Sequence, residues 1–141
     1  MTFAPRSGLA GAARITFTAG LLLFVVTIVV GILNGIDVWE PDHDTLIGHV
    51  HAGTLGWITM GVAGIGFLMF SANREVSAAE ADQARSLAWA TVGAITLYVG
   101  AFFLGDTLFD DRIQRPIVGT ILFAVVLWYL VWLVGAYRSY P

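Results

Sequence analysis

The chain has 141 residues, of which 57% are hydrophobic and 12% are charged, and its formal net charge at pH 7 is −3. Because a soluble domain usually has about 25% charged residues, this composition excludes an ordinary soluble domain. The small negative charge argues against nucleic acid as a partner, and the lack of cysteine excludes disulfides and thiolate metal ligands.

Four uncharged runs divide the chain, over about 15–36, 46–72, 86–105 and 116–137. A hydrocarbon core of roughly 30 Å needs about 20 apolar residues of helix to cross it, and each run is long enough. We therefore predict an all-α integral membrane protein, a four-transmembrane-helix bundle that forms a single membrane domain over residues 1–141. The first run is too long for the apolar core of a signal peptide, so we interpret it as a retained helix.

The arginines predict the orientation, because cytoplasmic loops of membrane proteins are enriched in Arg and Lys. Five arginines would share one side of the membrane, and two would lie on the other; the five are Arg6, Arg14, Arg74, Arg85 and Arg138. The exceptions, Arg112 and Arg115, lie between the third and fourth runs. We expect both termini on the cytoplasmic side of a prokaryotic inner membrane.

The second run contains two histidines, His49 and His51. Ionisable residues inside membrane spans are rare, and each is a candidate functional residue. Histidine is the commonest metal ligand and an axial ligand of haem iron. At about 100° per residue, positions two apart point to nearly opposite sides of a helix, so one helix cannot easily direct both rings at one ion.

Each histidine has a distinct set of neighbours on its own helix face. His49 shares its face with small residues and one methionine, namely Gly53, Gly56, Met60 and Gly64. Such a smooth stripe lets another helix, or a flat ring, approach the backbone closely. His51 shares its face with a row of apolar residues, Leu55, Ile58, Val62, Ile65 and Met69. Either face can hold an apolar macrocycle; alternatively, each imidazole only hydrogen-bonds a neighbouring helix.

The stretch His49-Val-His-Ala-Gly-Thr-Leu-Gly-Trp57 resembles the second transmembrane helix of the haem-copper oxidase catalytic subunit. It is most similar to the C-family oxidase and nitric oxide reductase branch, and the similarity extends only to the amino-terminal four-helix region. In that family a histidine near the outer end of this helix is an axial ligand of the low-spin haem. The resemblance implies this role for His51, with His49, Gly53 and Gly56 as further candidate cofactor-binding residues and His49 as the alternative metal ligand. Haem b is expected because the chain has no Cys-x-x-Cys-His attachment site.

The resemblance has a limit, since no histidine follows His51. The chain therefore cannot build a copper centre, and we do not expect a complete oxidase. The second axial ligand would come from His43, from Met60 or from a symmetry-related copy, which predicts a homodimer or a larger membrane complex. An open position would instead suit a diatomic gas.

Three functions follow from these observations. The first is a haem b protein that transfers electrons or senses a diatomic gas. The second is a non-catalytic structural or assembly subunit of a respiratory membrane complex. The third is a small metal-handling membrane protein that uses His43, His49 and the acidic residues of the first loop. In all three, membrane lipid surrounds the helices, and nucleic acid is not a partner.

Two local features carry further predictions. Pro116 follows Arg115 directly, which is typical of a helix start with proline in the first turn. Five polar residues inside the apolar runs are predicted to hydrogen-bond neighbouring helices, namely Thr18, Thr27, Asn34, Thr91 and Thr96. Nothing in the sequence indicates a phosphate-binding loop or a nucleophile triad.

Overall fold

The computed structural model describes residues 9–71, 75–105 and 110–139. In these segments all regular secondary structure is helical, with α1 at Leu9–Gly35, α2 at His43–Met69, α3 at Ala78–Leu104 and α4 beginning at Asp111 and ending at Arg138. All four helices are long and apolar enough to cross a membrane. The predicted all-α architecture with four helices of membrane-spanning length is confirmed.

The helices extend beyond the uncharged runs that predicted them. α3 begins at Ala78 rather than near residue 86, because the Ser77 hydroxyl accepts a hydrogen bond from the backbone N–H of Glu80 at 3.2 Å. This is a standard N-cap, and it lets charged turns precede the apolar part of the helix. The prediction that α4 starts at Pro116 is wrong for the same reason. Asp110 caps α4, and Pro116 lies inside the helix.

Sharp turns end α1 and α3 at one end of the bundle. Asp37, just after α1, has a positive φ of 56°, and Gly105, just after α3, has a φ of 51°. Glycine adopts a positive φ at little energetic cost, which allows the chain to leave α3 at Gly105. We call this end of the bundle, where residues 36–42 connect α1 to α2, the acidic-loop end.

Small residues dominate the interior of the bundle. Near the end opposite the acidic loop, all four helices contribute to one buried cluster, which contains Leu9, Ala12, Ala13, Phe67, Ala84, Leu87, Ala88, Trp132 and Ala136. A second cluster lies nearer the acidic-loop end and contains Ala52, Met60, Ala94, Ile95, Val99 and Leu122. Alanines allow helix backbones to approach closely. α3 packs against the other three helices, whereas α4 packs chiefly on α3.

A π-helical segment interrupts α2 from Ala52 to Thr59, directly after His51. π-helical turns are rare and occur frequently at functional sites. Through this segment the buried positions recur every four residues, at Gly48, Ala52, Gly56 and Met60. A π-helical turn contains more residues than an α-helical turn. The segment therefore keeps these four buried residues on the one face of α2 that packs against neighbouring helices.

Candidate functional site

The two histidines of α2 contact different helices, as their spacing predicts. The His49 ring lies against α1, where a Cβ atom placed on Gly31 would be 3.3 Å from the His49 Cε1 atom. Its Nδ1 atom is buried and has no hydrogen-bond partner among the described residues. His49 is thus enclosed between α1 and α2, with glycine making the space for its ring.

His51 faces α3 instead. Its imidazole meets the Tyr98 ring edge-on, with centroids 5.2 Å apart, and the Phe102 ring at 4.8 Å. The side chain is only partly buried, and it makes no hydrogen bond to another described residue. Two aromatic rings of α3 thus pack against the His51 imidazole.

A charged pair lies next to this aromatic group. The Arg115 guanidinium of α4 lies 4.8 Å from the centroid of the Phe102 ring and donates a hydrogen bond to Asp44 at 2.5 Å. His51, Phe102, Arg115 and Asp44 therefore form a continuous row across three helices at the acidic-loop end. Sequence reasoning missed this row, because 71 residues separate Arg115 from Asp44 and no local pattern connects them.

Two acidic residues, Asp106 and Asp110, lie close to Arg115 along the chain. Asp110 uses its carboxylate to cap α4, accepting a hydrogen bond from the backbone N–H of Arg112 at 2.9 Å. Asp106 lies outside the described residues.

The glycine stripe of α2 packs against α1. A Cβ atom on Gly53 would lie 3.3 Å from Thr27 Cγ2, and one on Gly56 would lie 2.9 Å from the Leu23 side chain. The sequence left open whether a helix or a flat ring covers this stripe, and the structure places α1 there. Gly53 and Gly56 thus lie in the interface between α1 and α2.

A cleft of about 180 Å³ lies between α2 and α4, with α3 as its floor. It begins at Thr59, about two turns beyond His51, and includes Val62, Thr91 and Ile95. At its far end the Tyr129 hydroxyl donates to the backbone carbonyl of Ala63 at 3.2 Å. Pockets for small molecules and cofactors usually measure about 300–1,000 Å³, so this cleft does not enclose a haem.

The residues around His51 do fit one face of a haem. His51 offers an imidazole, and Arg115 offers a guanidinium of the type that binds carboxylates such as propionates. The apolar side chains that continue along α2 are exposed, Ile58 at 57% and Val62 at 60%. A ring held by His51 would lie over this exposed surface, outside the four-helix unit.

The described residues supply no second axial ligand at this place. Met60 is completely buried on the opposite side, where Gly20 of α1 approaches it. His43 is exposed at the first residue of α2, about 12 Å along the helix axis from His51. The second face of a bound ring would therefore be open or covered by another chain.

The acidic loop does not form a metal centre within the described residues, which contain no group of three or more His, Asp or Glu side chains able to hold a metal ion. Asp42 caps α2 by accepting a hydrogen bond from the Thr45 N–H at 2.7 Å. That backbone hydrogen bond lowers the pKa of Asp42 below its usual value of 3.8. Asp44 pairs with Arg115. Asp42 and Asp44 therefore have structural roles here.

Comparisons of the chain with protein-family models, with curated proteins and with solved structures found no match. The functional argument therefore depends on the residues of this chain.

Proposed function

We propose that this protein is a haem b-binding membrane protein, with His51 as an axial ligand, that transfers electrons or senses a diatomic gas. The observation that carries the proposal is the His51 imidazole itself. It lies in a helix long enough to span a membrane, is partly exposed, contacts two aromatic rings and makes no hydrogen bond to another described residue. The likeness of residues 49–57 to the second helix of the oxidase subunit supports the same assignment.

A bound haem would supply an iron centre capable of one-electron or gas chemistry. The chain's own residues would hold and adjust it. Tyr98 and Phe102 restrict rotation of the His51 ring, which fixes the direction of its nitrogen lone pair. Arg115 lies where a guanidinium can pair with carboxylates at a membrane surface, and the apolar surface of α2 lowers the local dielectric constant.

The choice of His51 over His49 has a steric reason. A ring placed at His49 would have to separate α1 from α2, because the imidazole lies against α1, where even a Cβ atom added to Gly31 would be 3.3 Å from it. A ring placed at His51 needs no such separation on the exposed side of α2. The one-sided site also agrees with our expectation of a homodimer or larger complex, in which a second chain covers the open face.

The location forms part of the proposal. Arg14, Arg85 and Arg138 lie toward the end of the bundle opposite the acidic loop. Arg112 and Arg115 lie at the acidic-loop end. By the enrichment of arginine in cytoplasmic loops, we infer a multi-pass protein of a prokaryotic cytoplasmic membrane with both termini inside.

The absorption spectrum of the detergent-purified protein, oxidised and then reduced with dithionite, tests the proposal. After expression with adequate haem we expect a Soret band and a sharp α band on reduction. His51→Ala should remove these bands, whereas the matched variant His49→Ala should retain most of them. Circular dichroism of both variants verifies that the helices persist.

A wild-type protein with a featureless visible spectrum would overturn the proposal. If that colourless protein co-purified with respiratory subunits, the structural-subunit function would replace it. Retention of haem by His51→Ala together with loss by His49→Ala would reverse the assignment of the ligand.

A further inference from the structure

The ion pair between Asp44 and Arg115 lies beside the His51 site. The Arg115 guanidinium is 4.8 Å from the centroid of the Phe102 ring, and the His51 imidazole packs on the same ring with the centroids 4.8 Å apart. The guanidinium is therefore no farther from the imidazole than twice this distance. Phe102 thus supports both the candidate iron ligand and a cation.

The polarity of the surface around His51 changes along α2. Asp44 precedes His51 by about 10 Å along the helix axis, toward the acidic-loop end. In the opposite direction the surface is apolar and exposed, at Ile58 and Val62. A haem has the same polarity, because its carboxylates lie on one edge of an otherwise apolar ring. A haem on His51 would therefore match this surface with its carboxylates toward Arg115.

Asp44 holds one side of the guanidinium. Its Oδ2 atom accepts a hydrogen bond from Arg115 Nη2 at 2.5 Å, and both side chains are partly buried. Arginine presents five N–H donors in a rigid fork, so a bond to one carboxylate oxygen does not by itself exhaust them. Binding a ligand costs a long side chain its rotamer freedom, and a partner that already fixes the side chain reduces that cost.

We propose that Asp44 is a positioning residue that acts through Arg115, holding the guanidinium in the orientation that binds a carboxylate of the haem on His51. Asp44 itself does not contact the haem. The inference rests on the proposed haem function, and it adds a residue that the sequence analysis did not place at the haem site. The ion pair then has a role in cofactor binding besides joining α4 to α2.

The test measures how fast haem leaves the full chain, in a non-ionic detergent, for an excess of apomyoglobin. Arg115→Gln should accelerate the loss about tenfold, as expected when a hydrogen bond between charged groups is removed. Asp44→Asn should accelerate it roughly threefold, because the guanidinium remains but is held less firmly. Arg112→Gln is the matched control, since it removes the same charge from an exposed residue of the same helix. It should leave the rate unchanged.

A charge-swapped variant separates this role from a purely structural one. Asp44→Arg combined with Arg115→Asp restores an ion pair between α2 and α4 but removes the cation from its place over Phe102. We expect its free energy of unfolding to return toward the wild-type value, while haem loss stays as fast as in Arg115→Gln.

The midpoint reduction potential of the haem gives a second readout. A nearby cation favours the reduced iron, which has one positive charge fewer, so the potential should fall in Arg115→Gln and in the charge-swapped variant. Arg112→Gln should stay closer to the wild type. A tie that serves only to join two helices would leave the potential unchanged.

Recovery of haem retention by the charge-swapped variant would overturn the inference, since any ion pair between these helices would then be sufficient. Haem loss from Asp44→Asn as slow as from the wild type, or slower, would also overturn it. Both outcomes would leave the haem function intact. A wild-type protein without haem would overturn the proposed function and this inference with it.

Discussion

Arg115 and Asp44 join α4 to α2 at the acidic-loop end through a hydrogen-bonded ion pair of 2.5 Å. Both side chains are partly buried, with exposures of 24% and 37%. α4 packs chiefly on α3, so this pair and the Tyr129–Ala63 hydrogen bond tie α4 to α2 on either side of the cleft between them. The pair also positions the guanidinium over Phe102, which in turn contacts His51.

We predict that a double-mutant cycle with Asp44→Asn and Arg115→Gln gives a coupling free energy of about 1 kcal/mol, the upper range for ion pairs that water still reaches. Reversible unfolding in mixed micelles measures it. The exposed pair Asp82–Arg85, 3.9 Å apart with exposures of 76% and 58%, is the control and should show a coupling near zero. Equal coupling in the two cycles would show that burial adds nothing to the Asp44–Arg115 pair.

The glycines of α2 allow a second prediction. Gly56→Ala should lower the free energy of unfolding by about 1–3 kcal/mol, because its new Cβ would lie 2.9 Å from the Leu23 side chain. Gly61→Ala, on the same helix with nothing within 4 Å of its Cβ position, should be neutral or stabilising by about 0.5–1 kcal/mol. Unfolding by the same micelle method compares the two.

Adding Leu23→Ala to Gly56→Ala gives an internal check. The smaller side chain removes the clash, so the double variant should be more stable than the sum of the two single changes predicts. Strict additivity would mean that Gly56 matters for its backbone freedom rather than for its contact with α1.

Much of this fold follows from hydropathy, because only a helix satisfies its own backbone hydrogen bonds in lipid. The four runs therefore predicted the number and order of the helices. The starts of α3 and α4 were wrong because caps such as Ser77 and Asp110 are local and lie outside the apolar runs. The expectation that Thr27 and Thr91 bond neighbouring helices was also wrong, since both donate to carbonyls of their own helix.

The site was predictable only in its local geometry. The two-residue spacing of His49 and His51 was sufficient to place them on different faces. Their neighbours were not predictable, because contacts with Gly31, Tyr98 and Phe102 depend on how α1 and α3 pack. The π-helical segment after His51 was also not predictable, because the sequence analysis assumed a regular α-helix with 3.6 residues per turn. The haem ligand role of His51 stays a prediction.

Tyr129 supports a third prediction, at the end of the cleft. Tyr129→Phe should lower the free energy of unfolding by about 1 kcal/mol, because the Ala63 carbonyl loses the hydroxyl donor that lies 3.2 Å away. Tyr137→Phe is the matched control, since Tyr137 is 71% exposed and its change should stay within about 0.5 kcal/mol. If both variants unfolded alike, the interhelical hydrogen bond would have no measurable effect on stability.

The last prediction concerns acid and the start of α2. The hydrogen bond from the Thr45 N–H favours the charged form of Asp42 and lowers its pKa below 3.8 in the folded chain. The stabilisation of the cap is therefore complete above the unfolded pKa near 3.8, and it is lost as the pH falls from there through the lower, folded value. We expect the hydrogen-exchange protection of the Thr45 amide, corrected for the intrinsic rate, to decrease over that acidic range.

Asp42→Asn is the control for this effect, because the amide keeps an oxygen acceptor at the cap but has no proton to gain. Its Thr45 amide should show a protection that is independent of pH over the same range, measured by mass spectrometry or NMR in detergent. A parallel decrease in both proteins would show that the acid effect does not arise from the Asp42 cap.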